Sequence, residues 1–206
     1  HISSPELHRI RSITDQFEPG STFKVVSVVS AMYEKKIGLE EEFNCENGQY
    51  EYYDIKVRDH ESYGMLTLSQ ILHYSSNIGI VKIMDRVGQK ALYDISRNFG
   101  FGSATGLSLA GESLGKLSLV KNWSAVSLGQ IAMGHEVGVT ALQMAVAYSA
   151  IANGGYVVKP CIIRQIMDHN QEVVYAEKST IIRKISDEQT MEDLRKMLRG
   201  VVASGT

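Results

Sequence analysis

Two polar residues at the start of an apolar stretch have the types and spacing of a serine nucleophile and its base. Ser21 and Lys24 are three residues apart and follow the turn signal Pro19-Gly20. Residues 22–36 contain no Gly or Pro and are apolar on nearly every face, which predicts a buried helix with Ser21 at its N-terminus. Lys24 would lie one turn further along the same face. Because burial lowers the pKa of a lysine, its amine could activate the serine.

The same pattern also has an ordinary structural interpretation. Serine is a frequent N-cap, and a lysine one turn into a helix often extends its amine to solvent. The S-x-x-K spacing recurs at Ser113–Lys116 and Ser118–Lys121, where a Gly- and Ser-rich loop lacks a buried helix. On context alone, the catalytic and structural interpretations of Ser21 and Lys24 have equal weight.

A second polar cluster, Ser75-Ser76-Asn77, falls at the junction of two predicted helices. The capping box Thr67-Leu68-Ser69-Gln70 begins the first helix, and residues 78–88 carry the pattern of the second. Side chains at such a junction can point into a cleft, but they can equally cap a helix. A further S-x-N copy at Ser96–Asn98 lies near the end of another predicted helix, where a capping or solvent-facing role is simpler.

The elements around these clusters predict an α+β chain. Residues 39–64 read as short strands and loops, and about 65–155 form a mostly helical lobe. The remaining predictions are a helix over 90–99, a glycine-rich loop over 100–119, a helix over 141–152 with a capping box at Thr140 and Gln143, a hairpin of 161–167 and 172–176, a strand over 181–185 and a helix over 187–200 capped by Ser186 or Asp187.

Composition excludes several classes of function. The net charge is −2, with 21 basic and 23 acidic residues interspersed, so neither a nucleic-acid surface nor a polybasic membrane patch is indicated. No apolar run reaches the length of a membrane span. Cys45 and Cys161 match no metal spacing and are expected to be free thiols. His60, His135 and His169 lack partners at ligand spacing, so no metal site and no cofactor is predicted.

The sequences around both clusters resemble motifs of one protein family. Glu18-Pro19-Gly20-Ser21-Thr22-Phe23-Lys24 is similar to the active-serine segment of penicillin-binding proteins, the D,D-transpeptidases of bacterial cell-wall synthesis, and most of all to their class B, monofunctional kind. His73-Tyr74-Ser75-Ser76-Asn77-Ile78-Gly79 resembles the S-x-N motif of that family. The third family motif, Lys-Thr-Gly, does not occur in the 206 residues.

The resemblance implies acyl transfer from D-Ala-D-Ala stem peptides of peptidoglycan. Ser21 would be the nucleophile, Lys24 the proton acceptor, Ser75 the relay to the leaving D-alanine, and Asn77 a ligand of a substrate amide. It implies β-lactam antibiotics as covalent inhibitors and the cell-wall synthesis machinery as a partner of the parent protein. It also implies a location on the extracytoplasmic face of the bacterial cytoplasmic membrane, through an anchor outside this chain.

The implied fold is the penicillin-binding/serine β-lactamase-like transpeptidase fold, with a helical lobe and an incomplete antiparallel sheet. Residues 1–206 would be the central part of one domain, and 156–206 would lead to a strand that carries the missing Lys-Thr-Gly. Two alternatives remain open: a β-lactamase-like or penicillin-sensing acyl-serine protein, and a folded fragment that self-associates without activity. Trp123 is expected to pack as a core aromatic, and Gln130 to line the cleft.

Overall fold

The structure, a computed structural model, describes residues 9–205. Its α-helices are α1 (Arg11–Thr14), α2 (Lys24–Glu34), α3 (Leu68–His73), α4 (Asn77–Val87), α5 (Gln89–Phe99), α6 (Ser127–Ala132), α7 (Ala141–Ala152) and α8 (Glu188–Ser204). Its strands are β1 (Glu42–Asn44), β2 (Gln49–Tyr52), β3 (Ile55–Arg58), β4 (Met65–Thr67), β5 (Tyr156–Val158), β6 (Gln165–Met167), β7 (Val173–Ala176) and β8 (Ile181–Lys184).

The strands form separate antiparallel pairs. In the part of the chain that is described, β1 pairs with β4, β2 with β3, β5 with β8, and β6 with β7. The β2–β3 hairpin packs against α4, whereas the β5–β8 pair lies between α7 and α8 in the chain. Helices and small antiparallel sheets together confirm the predicted α+β class.

Helix α2 is the centre of the core. Its residues from Lys24 through Ala31 are all buried, and α3, α4, α5, α6 and α8 pack against it. Full burial of each valine stabilises the fold by about 1.5–3 kcal/mol, which outweighs the weak helix propensity of β-branched residues. The buried Ser27 hydroxyl donates to the carbonyl of Ala132, and Ser30 donates to Val26, so neither is left unpaired.

Local capping hydrogen bonds determine where the helices beside α2 begin. Capping boxes predicted at Thr67 and at Thr140 are both present and begin α3 and α7. The Ser76 hydroxyl accepts from the Gly79 N–H and so caps α4. A Cβ built on Gly79 would lie 2.5 Å from Ile71, so glycine allows α3 and α4 to pack closely at their junction.

The start of α2 differs from the sequence prediction. Gly20–Phe23 is a 3-10 turn, and the α-helix begins at Lys24, whereas the pattern predicted an α-helix from Thr22. Gly20 has φ +56°, and the Lys24 N–H bonds back to the carbonyl of Ser21, which tightens the chain. Ser21 therefore lies in a tight turn that leads into the helix, rather than in its first α-helical turn.

Two further short elements were not predicted from the sequence. Strand β5 and helix α6 are three and six residues long, too short to show a periodic pattern of apolar residues.

Both cysteines are free thiols, as predicted. Cys45 is buried and Cys161 is exposed. Among residues 9–205, no helix combines the length and apolarity that crossing a membrane requires.

Candidate active site

The structure brings Lys24, Ser75 and Asn77 together. The Lys24 side chain is fully buried, and its Nζ donates to Ser75 Oγ at 3.0 Å and to Asn77 Oδ1 at 2.7 Å. It also donates to the backbone carbonyl of Ser75. An ammonium has three N–H donors, so these three acceptors satisfy the charged form completely.

Burial makes the Lys24 amine an unusually weak base for a lysine. Desolvation lowers its pKa from 10.5 to about 8, while the negative charge of Asp59 opposes part of that fall. With a pKa of about 8, about a tenth of the molecules carry neutral Lys24 at pH 7. The amine can therefore both accept and return a proton near neutral pH, as a general base requires.

Ser75 has a backbone conformation that few non-glycine residues adopt. Its φ is +55°, in the left-handed region, between the end of α3 and the start of α4. This conformation costs about 1–2 kcal/mol and turns the chain sharply between the two helices. The bond from Lys24 to the Ser75 carbonyl offsets part of that cost, so the strain is retained where polar side chains converge.

Ser21 lies three residues before Lys24 with an exposed side chain. Its hydroxyl forms no hydrogen bond with residues 9–205, which leaves it available to a ligand. The next residue is held firmly, because the Tyr148 hydroxyl of α7 donates to the Thr22 carbonyl at 2.9 Å. Tyr148 is partly buried, and burial raises the pKa of its phenol, so the hydroxyl keeps the proton that it donates.

The chain before Ser21 is paired with residues 134–139. Phe17 and Val139 form an antiparallel bridge, and the Gly20 N–H donates to the Gly134 carbonyl at 3.1 Å. A Cβ on Gly134 would lie 2.1 Å from the Gly20 carbonyl oxygen, and the φ of Gly134 is +89°. Only glycine at position 134 permits this approach.

The Glu18 carboxylate strengthens the same junction. One oxygen accepts from the Glu136 N–H at 2.9 Å, and the other lies 3.0 Å from His135 Nδ1. The hydrogen bonds from His135 and from the Glu136 N–H lower the pKa of Glu18, so it stays charged. Glu136 itself has φ +55°, and Ser127 donates to its carboxylate at 2.6 Å. Sequence reasoning treated His135 as an ordinary polar residue, and its partner Glu18 is 117 residues away in the chain.

Asp59 is a site residue that the sequence reasoning missed. Its carboxylate accepts the N–H groups of Asn77 at 2.6 Å and Ile78 at 3.0 Å, and the hydroxyl of Ser76 at 2.6 Å. The preceding carbonyl, that of Arg58, accepts from Asn77 Nδ2 at 2.8 Å. The only signal was an aspartate after a short strand, which is typical of any turn.

The other candidate residues have structural surroundings. Trp123 is half-buried, packs against the core and donates from its indole to the Ser118 carbonyl. Ser96, from the second S-x-N copy, is buried and bonds to the Leu92 carbonyl of its own helix. Gln130 is partly buried on α6. Among the described residues, no group of three or more His, Cys, Asp or Glu side chains could hold a metal ion.

Comparison with known proteins connects this arrangement to one family. The family model described as the penicillin binding protein transpeptidase domain matches residues 4–206. Stage V sporulation protein D of Bacillus subtilis is 32% identical over 193 residues, which cover 92% of this chain and 30% of that protein. Peptidoglycan D,D-transpeptidase FtsI of Escherichia coli is 35% identical over 162 residues, or 78% of this chain and 27% of that protein.

A solved structure agrees with the fold. Penicillin-binding protein 3 of Mycobacterium tuberculosis, complexed with ampicillin, superposes with a TM-score of 0.84 at 30% identity. The match covers 94% of this chain and 43% of that one. The chain thus spans about 30% of the length of the curated relatives it matches. The fold predicted from the resemblance is confirmed.

The contact between Gly20 and Gly134 can be tested by substitution. We expect Gly134→Ala to reduce the free energy of unfolding by more than about 3 kcal/mol, because left-handed strain and a backbone clash add together. Gly154→Ala is the matched control: its φ is +91° and its Cβ would meet nothing within 4 Å. It should cost about 1–2 kcal/mol in urea unfolding. Equal losses would show that the close approach is unimportant.

The low pKa of Lys24 predicts a pH-dependent stability. Between pH 8 and 10.5 the unfolded chain binds the proton that folded Lys24 has lost, so the free energy of unfolding should rise with pH. The rise should approach about 3 kcal/mol across that window. Urea unfolding of the wild type and of Lys24→Met at each pH isolates this group, since the variant lacks it. Parallel curves for the two proteins would contradict a depressed pKa.

Proposed function

The chain belongs to the penicillin-binding protein transpeptidase family, and we propose that its protein is a serine D,D-transpeptidase that cross-links peptidoglycan. The observation that carries the proposal is the buried Lys24 amine, which hydrogen-bonds Ser75 and Asn77 one turn after the exposed Ser21. The name of the FtsI relative supports the same reaction class, since that protein is a peptidoglycan D,D-transpeptidase.

The first half-reaction would be acylation of Ser21. Ser21 Oγ attacks the carbonyl between the two D-alanines of a stem peptide, and its proton passes to neutral Lys24. The new ester bond forms as the peptide C–N bond breaks. The leaving amine of the terminal D-alanine takes a proton through Ser75, whose Oγ lies 3.0 Å from Lys24 Nζ. The amine of a neighbouring stem peptide then attacks the ester, and the C–O bond to Ser21 breaks as the cross-linking amide forms. The proton that the amine loses returns through Lys24 to Ser21 Oγ.

Two sets of donors would hold the substrate during these steps. The Ser21 N–H lies in the first turn of the 3-10 segment, where N–H groups lack partners within the helix, and would donate to the oxyanion. Asn77 Nδ2 has two N–H bonds, and one donates to the Arg58 carbonyl. The other is available for a substrate carbonyl. Asn77 would therefore connect substrate, Lys24 and the β3 end.

The remaining proposals concern partners, domain and location. β-Lactams would acylate Ser21 in place of the stem peptide, consistent with a relative whose structure holds ampicillin. Residues 1–206 would form part of one transpeptidase domain with a helical lobe over about 65–155. The protein would act outside the bacterial cytoplasm, anchored in the membrane and associated with cell-wall synthesis enzymes. The relative FtsI, named a peptidoglycan D,D-transpeptidase, supports this setting.

Covalent labelling tests the nucleophile. We expect a fluorescent penicillin to label the full-length protein at Ser21, as mapped by mass spectrometry of the labelled peptide. Ser21→Ala should abolish the label, because the Ser21 hydroxyl in the turn before Lys24 is unpaired among the described residues, whereas the Thr22 hydroxyl in the same turn donates to the Pro19 carbonyl. Ser118→Ala, from an S-x-x-K copy in the loop, is the matched control and should label normally. A label on any other serine, or undiminished label in Ser21→Ala, would refute the assignment.

Lysine replacement tests the base. Lys24→Arg retains a positive charge but cannot become a neutral base at ordinary pH. We expect the acylation rate of Ser21 to fall at least about 10²-fold, in the range lost when a general base is removed. Lys121→Arg, from the same loop copy, should leave the rate unchanged. Acylation of Lys24→Arg at a near-normal rate would mean that Lys24 only positions Ser21.

A further inference from the structure

The residue after strand β3, Asp59, carries a carboxylate that contacts the three residues immediately after Ser75. Asp59 accepts from the N–H groups of Asn77 and Ile78 and from the Ser76 hydroxyl, all within 3.0 Å. The residues that it holds lie 17 to 19 positions later in the chain. An ordinary N-cap comes from the residue that precedes its helix, and Ser76 already supplies that cap to α4. Asp59 is thus an additional, non-local contact.

Asp59 also acts on the buried amine. Titratable side chains on the segments beside the acceptors of Lys24 are Arg58 at the end of β3, Asp59 after it, and His73 and Tyr74 at the end of α3. The charge of Asp59 raises the pKa of Lys24, against the larger effect of burial. The carboxylate therefore stabilises the ammonium form that donates to Ser75 and Asn77.

We propose that Asp59 is a positioning residue that fixes the Ser75–Asn77 turn and balances the charge of Lys24 during the acyl transfer. This inference rests on the proposed function, because the balance matters only if Lys24 exchanges a proton with Ser21. When Lys24 takes up that proton, the negative charge of Asp59 is already in place beside the Ser75–Asn77 turn, which accepts the hydrogen bonds of Lys24. Charge separation in the site then costs less, since the counter-ion is held in place beforehand.

Asp59→Asn removes the charge of this side chain and keeps nearly the same shape. Asparagine retains one oxygen acceptor for the N–H groups of Asn77 and Ile78, but it carries no charge. We expect the plateau of the acylation rate to fall at least about tenfold, because the turn is held less firmly. We also expect the rise of the rate with pH, which follows neutral Lys24 and is centred near pH 8 in the wild type, to move to lower pH.

Two matched variants distinguish this role from a purely structural one. Ser76→Ala removes the hydroxyl contact and retains the carboxylate, so it should lower the plateau without moving the pH profile. Asp54→Asn makes the same chemical change at the exposed turn of the β2–β3 hairpin and should alter neither. If Asp59→Asn does not fold, Asp59→Ser keeps a capping oxygen without the charge and has the same expected outcome.

Direct titration of Lys24 separates this proposal from the function on which it rests. In protein with isotope-labelled lysine, NMR should show Lys24 titrating at lower pH in Asp59→Asn than in the wild type, whether or not penicillin binds. Absence of penicillin labelling in the wild type would refute the transpeptidase proposal alone. The same Lys24 titration in both proteins, or a pH profile that moves equally in Ser76→Ala, would overturn the role of Asp59.

Discussion

The hydrogen bonds of a single buried ammonium determine the geometry of this molecule's polar centre. Lys24 belongs to a helix whose neighbouring residues are all apolar or small, and desolvation of its charge is costly. Ser75 and Asn77 offset that cost by supplying three acceptors. Two of these acceptors belong to Ser75, whose backbone is in the left-handed region. The core helix and the α3–α4 junction therefore stabilise one another through one amine.

Each half of the site depends on a contact from a distant part of the chain. The turn that bears Ser21 is paired with residues 134–139 and fixed by the Glu18 carboxylate. The turn that bears Ser75 is fixed by Asp59 at the end of a hairpin. Both carboxylates accept backbone N–H groups in addition to one side-chain partner each, so they orient the main chain directly. Such bonds are among the stronger ones available to a carboxylate.

The sequence predicted the elements better than the contacts between them. The capping boxes at Thr67 and Thr140 were recognisable because their bonds join residues three positions apart. The 3-10 turn at Gly20–Phe23 was not, since the residue types there also suit an α-helix. Neither Asp59 nor His135 gave a specific signal, because a single sequence does not show which distant residue is a partner. The sequence motifs identified four candidate residues, Ser21, Lys24, Ser75 and Asn77. The burial of Lys24 and the position of the Asp59 charge could be seen only in the structure.

The pairing of Phe17 with Val139 has a consequence for how the molecule folds. The contact between Glu18 and Glu136 closes a loop of 118 residues, and closure entropy grows with loop length. Helices α3 to α5 make contacts over short separations and can form without that closure. A molecule that has made only its local contacts lacks the turn that presents Ser21. A reagent that binds this site would therefore label only completely folded molecules, and partly folded molecules would remain unlabelled.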